Sequence, residues 1–400
     1  MNPRTLEPSN RYNPPLPLRN TIAHVDLEAL QHNFAAIEAF LRGGAREAAV
    51  PAPGIIAVVK ANAYGHGAGP VALALEQAGA TTLACADIEE GIVLRRAGVR
   101  VPILVFGALS VSDLDGLFEF ALTPTISTPG AARAVQAAAL KRRATIGYHL
   151  KIDTGMNRLG FRHDNLQRTV PELLASPNVR LEAIYTHFAT ADVPESPVFN
   201  QQREQFERAA ATVAGLSGGR PARRHAANSA ALLRDSRVWY DVVRPGLLLY
   251  GVVPPPLAST IPLRQVMSLS SRVVAVKGLR AGEGVGYGWR FQADAPRTIA
   301  VVPAGYADGL DTRLSGRGFV LIRGRRVPII GAVSMDMLTV DVTDLAGVEP
   351  GDEVTILGSQ GDQRWQTIDA REMAASVGMI PWEVLCRLGT RIERTYSAAD

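Results

Sequence analysis

Cysteine is nearly absent from the chain: Cys85 and Cys386 are the only two in 400 residues. Two distant thiols make neither a disulfide framework nor metal-ligand spacing, so the expectation is a cytosolic protein in a reducing setting, without structural zinc. Long apolar runs are missing too. Nothing approaches the roughly 20 residues that cross a bilayer, which argues against membrane insertion. Residues 1–20 hold five prolines and no apolar stretch behind their first charges, so they predict a flexible arm rather than a secretory signal. Neither sign of charge dominates. Lys plus Arg is 42 and Asp plus Glu is 38, and a net charge of +4 spread over so large a surface resembles no nucleic-acid footprint. Lysine is scarce among the cations: Lys60, Lys141, Lys151 and Lys277 are its four occurrences, and arginine fills the other basic positions. A lysine inside a motif is therefore informative.

What the chain does have is material for a large core. The hydrophobic fraction of 47% with 20% charged residues is that of a soluble globular protein. Single cores stop growing at roughly 250 to 300 residues, so two domains are expected. From residue 21 to about 253 short apolar runs alternate with helical stretches rich in Ala and Leu. Candidate strands lie at 55–60, 82–86, 102–106, 122–126, 145–152, 181–187, 224–227 and 241–244. They are β-branched and nearly continuous, as parallel strands buried on both faces should be. Eight of them predict a (β/α)8 barrel, with an open doubly wound sheet as the other arrangement of the same pattern. After Pro254, Pro255 and Pro256 the helical pattern nearly vanishes, and strands are predicted at 268–277, 298–302, 319–322, 327–330, 338–342 and 353–357. A short helix follows at 368–377. The expected division is thus an arm over 1–20, a barrel over 21–258 and a mostly-β C-terminal domain over 259–400. A short strand at 21–25 fits either unit.

The most informative segment is IIAVVKANAYGHGAG, 55–69, where a buried strand delivers Lys60 to its carboxyl end ahead of a glycine-rich loop. In a barrel that end is the reactive face. Lysine can form a Schiff base with an aldehyde, and arginine cannot replace it because its guanidinium stays protonated. A strand-end lysine snorkelling to solvent is the plainer reading. Gly65, Gly67 and Gly69 would let backbone N–H groups approach a phosphate. Ser229 precedes a helical run, 230–233, where a hydroxyl either caps the helix or receives an anion. Arg244 ends a buried apolar strand, where an ion pair is the ordinary alternative to a functional role.

Eight motifs, VVKANAYGHG, HLKIDTGMNRLGF, THFATAD, HAANSAALL, VRPGLLLYG, VGYGWRF, AGYADGL and VSMDMLTVDVT, resemble in order those of the alanine racemase family of pyridoxal-phosphate enzymes, from about Thr21 to Tyr396. The resemblance implies a barrel plus a β domain. It also implies that Lys60 holds pyridoxal phosphate, that Tyr64, Ser229 and the backbone of Gly246 and Leu247 bind its phosphate, and that Asn228 binds the cofactor with His225 beside it, a polar pair whose plainer role is to satisfy the loop backbone. Arg244 would face the pyridine nitrogen. Because an arginine accepts no proton, the ring would stay largely unprotonated and would be a poorer electron sink than one facing a carboxylate. The position of Arg158 would put a fork of donors near the cofactor's phenolic oxygen and the substrate carboxylate. The equivalent of Lys151 is often carbamylated in the family, which would orient Arg158; a plain pairing of Lys151 with an acidic neighbour is the alternative.

Racemisation needs a base on each face of the α-carbon. The resemblance implies Lys60 for one and Tyr287 for the other, with His187 as the neighbour that favours ionised Tyr287. Tyr306 and the backbone of Met335 would approach the substrate carboxylate. In the family these β-domain residues reach the neighbouring subunit's cofactor, which implies a head-to-tail homodimer with shared sites, and no metal. The expected activity is interconversion of L- and D-alanine, supplying D-alanine for peptidoglycan, with a serine or broad-specificity racemase as the nearest alternative. Two departures stand out. Trp382 takes the place of a tyrosine that touches the phosphate in many members, and Ala332 that of an arginine, which predicts a wider, less cationic entrance. A non-catalytic pyridoxal-phosphate carrier is the rival of another class, but such proteins lack a β domain. A decarboxylase on the same plan would face the ring nitrogen with an acid, whereas this chain offers Arg244.

Overall fold

Strands joined by helical crossovers return to the same end of a sheet and so pair in parallel. A computed structural model describes residues 20–109, 114–361 and 366–397; the arm expected over 1–20 lies, but for Asn20, outside the described residues. The chain opens with β1 (Ile22–Val25) and the helix Leu27–Glu47. Asp26 caps this helix by accepting the Ala29 N–H. Leu30, Phe34, Ile37 and Leu41 recur at helical spacing and are buried on one face, each contributing roughly 1.5–3 kcal/mol. Asn33 fastens that face by donating to the carbonyls of Leu249 and Arg264.

Then follow β2 (Gly54–Val58), β3 (Thr82–Cys85), β4 (Ile103–Val105), β5 (Leu122–Ile126) and β6 (Ile146–Asp153). The short β7 (Phe161–Arg162) extends from the end of β6, and β8 (Val179–Tyr185), β9 (Arg223–Asn228) and β10 (Val242–Arg244) complete the set. Consecutive members pair in parallel from β2 to β5; β5 pairs with β6 through Thr125 and His149, β6 with β8, β8 with β9, and β10 returns to β2 through Val243 and Ile55. The result is a closed eight-stranded parallel barrel with helices outside, not an open sheet. Its interior is only partly apolar: Thr125, His149, Tyr185, His225 and Arg244 are all buried.

The second unit contains β11 (Met267–Arg272), β12 (Ala275–Leu279), the hairpin β13 (Gly284–Val285) and β14 (Phe291–Gln292), β15 (Arg297–Val302), β16 (Phe319–Ile322), β17 (Arg325–Ile330), β18 (Leu338–Asp341), β19 (Glu353–Gln360), β20 (Gln366–Ile368) and β21 (Glu393–Tyr396). The strand expected at 268–277 is two strands. Val273 donates to the carbonyl of Asp352 and Val274 to that of Val301, so one half pairs with β19 and the other turns onto β15.

The strand at 21–25 does not pair with the barrel, although the expected barrel range began there. β1 runs antiparallel to β11 and parallel to β21, inside the second sheet. Pairing satisfies its backbone where a closed barrel has no edge to offer. The chain therefore begins in the β unit, traverses the barrel and returns. Among the described residues no helix is long and apolar enough to cross a membrane.

Candidate active site

Lys60 emerges from β2 into a segment of unusual backbone. Ala61, Asn62, Ala63 and Tyr64 have φ of 53°, 53°, 55° and 51°, followed by Gly65 at 82°. Left-handed conformation costs an L-residue about 1–2 kcal/mol, so a run of four persists only where its surroundings over-determine it. Ala63 donates to the carbonyl of Val59, Gly65 to that of Ala61 and Gly67 to that of Asn62. The Asn62 side chain accepts from Ala68, and Glu90 accepts the Ala61 N–H at 2.7 Å. The helix Pro381–Cys386 and β21 close over the turn: a Cβ on Gly65 would collide with the Leu385 carbonyl, one on Gly67 with the Tyr396 hydroxyl, and Arg394 Nε donates to the Gly65 carbonyl. The sequence pointed to a glycine-rich loop; the left-handed turn and its clamp are new.

The turn aims Tyr64 across the barrel mouth. Its hydroxyl lies so close to Gly246 that any side chain there would overlap it. Burial raises the Tyr64 pKa, with the Cys386 thiol adding to the effect, so the phenol remains a donor. Ser229 Oγ accepts from the N–H groups of Gly246 and Leu248 at 3.0 and 3.3 Å, so the second amide it meets is that of Leu248, not Leu247. Asn228 caps the helix Ser229–Arg234 by accepting the Ala231 N–H, which gives it a local structural role. Tyr64, Ser229 and Gly246 thus converge on one corner, backed by Tyr250, whose ring lies 4.9 Å from that of Tyr64 and whose hydroxyl donates to the Val58 carbonyl.

Arg244 is buried at the end of β10. Its Nη1 donates to His225 Nδ1 at 2.8 Å, and its Nη2 donates to the carbonyls of Thr186 and Ala226. A guanidinium cannot accept, so His225 must carry its proton on Nε2, and from there it donates to His149 Nδ1 at 3.0 Å. Burial, and then the charge of Arg244, pushes the His225 pKa well down; burial, with Arg223, pushes that of His149 to about 3. Both imidazoles are therefore neutral. Tyr185 stacks on His225 at 4.6 Å and lies under the guanidinium, which burial lowers to a pKa of about 10, still a cation at neutral pH. His225 was foreseen only as a neighbour of Ser229, and His149 not at all, because the link joins three strands that are far apart in the chain.

Lys60, Lys151, Arg158 and His187 share one electrostatic neighbourhood. Burial and then Arg158 lower the Lys60 pKa. The same two causes push Lys151 down to about 8. Lys151 is buried in β6 with its Nζ 5.5 Å from the Tyr185 ring, and among the described residues no carboxylate pairs with it. Asp153 acts on it only as a nearby charge that favours the protonated form. Burial, followed by Arg244 and Lys151, holds His187 well below the usual imidazole range, so it is neutral. Arg158 is exposed at the rim.

The remaining expected residues stand elsewhere. Tyr306 and Met335 are brought together, since Tyr306 N–H donates to the Ser334 carbonyl and Ala307 N–H to that of Met335. Tyr287 lies between Gly286 and Gly288, both at positive φ, on a loop that passes Ala332. It is 79% exposed, and Trp289, Met335 and Tyr306 are 64%, 51% and 45% exposed, so a single chain leaves this face uncovered rather than seated on its own Lys60 cluster. Trp382 is half-buried on the helix that covers the Lys60 turn.

Residues 25–254 match the family model described as alanine racemase, N-terminal domain, and residues 266–396 that of the alanine racemase C-terminal domain. An alanine racemase of Sorangium cellulosum is 41% identical over 385 residues, covering 95% of this chain and 99% of that protein. The solved alanine racemase of a D-cycloserine-producing Streptomyces lavendulae superposes with a TM-score of 0.88 at 34% identity, covering 96% of this chain and 99% of that one. That of Bartonella henselae, with covalently bound pyridoxal phosphate, gives 0.82 at 29% identity over 94% of this chain and 99% of that one.

Proposed function

The chain belongs to the alanine racemase family of isomerases, and from that premise we propose that it interconverts L- and D-alanine with pyridoxal phosphate as cofactor, supplying D-alanine for peptidoglycan. The residues suit the cofactor. Two hydroxyls and a side-chain-free backbone at Tyr64, Ser229 and Gly246 would make a cradle for a phosphate, and a Cβ at 246 would displace the Tyr64 hydroxyl from it. Leu247 follows Gly246 at the start of the helical turn Leu247–Tyr250, and Asn228 holds the helix that carries Ser229. Lys60 would hold the aldehyde, its lowered pKa leaving more of the amine neutral and nucleophilic. When bound, the cofactor supplies an aldehyde that condenses with amines and a ring that withdraws electrons from the α-carbon of an amino acid.

Arg244 has only donors and is braced by His225, so a ring nitrogen facing it would accept a hydrogen bond and gain no proton. Restrained electron withdrawal favours return of a proton to the α-carbon over other outcomes. Lys60 Nζ would move the proton on one face, and Tyr287 Oη, contributed by a second copy of the chain in a homodimer, on the other. Neutral His187 would offer that phenol a hydrogen bond, not a charge. Arg158, Tyr306 and the backbone of Met335 would take the substrate carboxylate. With a pKa of about 8, a far larger share of Lys151 than of an ordinary lysine is neutral amine near physiological pH, able to add to carbon dioxide, losing one proton to water and forming a carbamate that would orient Arg158. Two free thiols suit a reducing cytosol.

What carries this reading is the meeting of Lys60, the Tyr64–Ser229–Gly246 corner and buried Arg244 at one barrel mouth. Chiral chromatography of a panel of L-amino acids incubated with the pyridoxal-phosphate-loaded protein tests it. Alanine should racemise fastest and serine more slowly. No racemisation at all would reject the reaction, and faster turnover of another amino acid would reject the substrate.

A further inference from the structure

We propose that Glu90 is a positioning residue for Lys60: its carboxylate ties the left-handed turn that begins beside Lys60 to the neighbouring barrel strand, and so fixes where the Lys60 amine stands. Glu90 lies in the first turn of the helix Ile88–Arg96, where an acidic side chain is common because it suits the helix dipole. Its bonds are not those of an ordinary helix-terminal acid. A capping-box glutamate would reach back to the N-cap N–H, here that of Asp87. Instead Oε2 accepts the Ala86 N–H at the end of β3, and Oε1 accepts the Ala61 N–H, both at 2.7 Å. Asp87 does the capping, accepting the Glu90 N–H at 2.8 Å, which also steadies the carboxylate's own backbone.

Ala61 is the residue after Lys60 and the first of the four at positive φ. Its N–H sets the direction in which the turn leaves β2. Val59, just before the turn, donates to the Ala84 carbonyl of β3; beyond it the bonds of 61–68 run within the segment or to the C-terminal segment, and Glu90 carries the tie to β3 on into the turn itself. A carboxylate receiving two N–H donors is a strong, directional clamp. Charge adds a second effect. The charged and titratable groups that act on or share the surroundings of Lys60 are Arg158, Arg244, Lys151, His187, Cys386 and Glu90. Burial, then Arg158 and Arg244, disfavour a proton there; Cys386 and then Glu90, the one carboxylate among these groups, favour it.

The proposal rests on Lys60 being the residue that holds the cofactor, and the test separates the two. The full-length, cofactor-loaded wild type, Glu90→Gln, Glu90→Ala and the exposed control Glu89→Gln are reduced with borohydride and mapped by mass spectrometry. Pyridoxyl label on another lysine would overturn the underlying assignment. With label on Lys60, kcat and KM for L-alanine and the pH midpoint of the visible absorbance are measured. Glu90→Gln keeps the shape and one acceptor but removes the charge. It should lower kcat by roughly ten- to hundredfold, the scale for misplacing a reacting group, with KM little changed. Loss of a negative charge beside the amine should also move the absorbance midpoint to lower pH. Glu90→Ala should do both more strongly, and if it does not fold, Glu90→Gln decides alone. Glu89→Gln should behave as wild type. An unchanged kcat or an unmoved midpoint in Glu90→Gln would overturn the proposal.

Discussion

A single hydroxyl at position 287 carries the two-base reading. Tyr287→Phe removes the phenolic proton and keeps the ring, and since the residue is 79% exposed in one chain the change should leave folding untouched. Racemisation should fall by roughly 10²-fold or more, the usual scale for a positioned acid or base. Cofactor retention should survive, because Lys60, Tyr64, Ser229 and Arg244 are unaltered. In deuterated water the variant should still exchange the α-proton of D-alanine through Lys60, and that of L-alanine far more slowly. Equal exchange of the two enantiomers, followed by mass spectrometry, would reject the assignment. Lys60 was legible in the sequence because lysine is rare in this chain and the strand before it is unmistakably buried. Glu90 and His149 were not, and His225 only as a neighbour of Ser229, because what makes each of them interesting is a partner on another element, and no local pattern encodes such a bond.

At the scale of an element, the left-handed turn is the least expected feature and the most exposed to a small change. Gly65 sits at φ 82° beneath the Leu385 carbonyl. Gly65→Ala should cost about 1–2 kcal/mol in backbone conformation and a further 1–3 kcal/mol in overpacking against a backbone atom that cannot swing aside. Lower thermal stability and weaker retention of pyridoxal phosphate, read by absorbance after gel filtration, are the expected results; a variant with wild-type stability would show that the clamp from the C-terminal helix is dispensable. The barrel strands themselves were readable to within a few residues, since near-continuous apolar runs separated by helical stretches allow little else. The small hairpin of β13 and β14 was not, being only two residues a side. The split of 268–277 was hidden because both halves are equally strand-like, and only their different partners, β19 and β15, divide them.

At the scale of the whole molecule, the exposed face around Tyr287, Trp289 and Met335 is expected to complete the Lys60 site of a second copy of the chain. Lys60→Ala and Tyr287→Ala chains should each be inactive alone. Mixed under conditions where subunits exchange, they should regain activity, because one site of each hybrid dimer then has both bases intact. Exchange demonstrated by co-purification of differently tagged chains, with no return of activity, would refute the shared site.

Local sequence was enough for the barrel, the β unit, the family and the candidate lysine, because periodicity, residue scarcity and short ordered motifs are properties of neighbouring positions. Tertiary structure alone decided what depends on residues far apart in the chain. It put β1 in the second sheet beside β21, where an open edge could take a strand that a closed barrel could not. It joined Arg244 to His225 and His149, and it laid Leu385, Arg394 and Glu90 around a turn whose strain no stretch of sequence announces. Such a conformation is sustained by contacts from outside its own segment, so it becomes visible only when those contacts are in place.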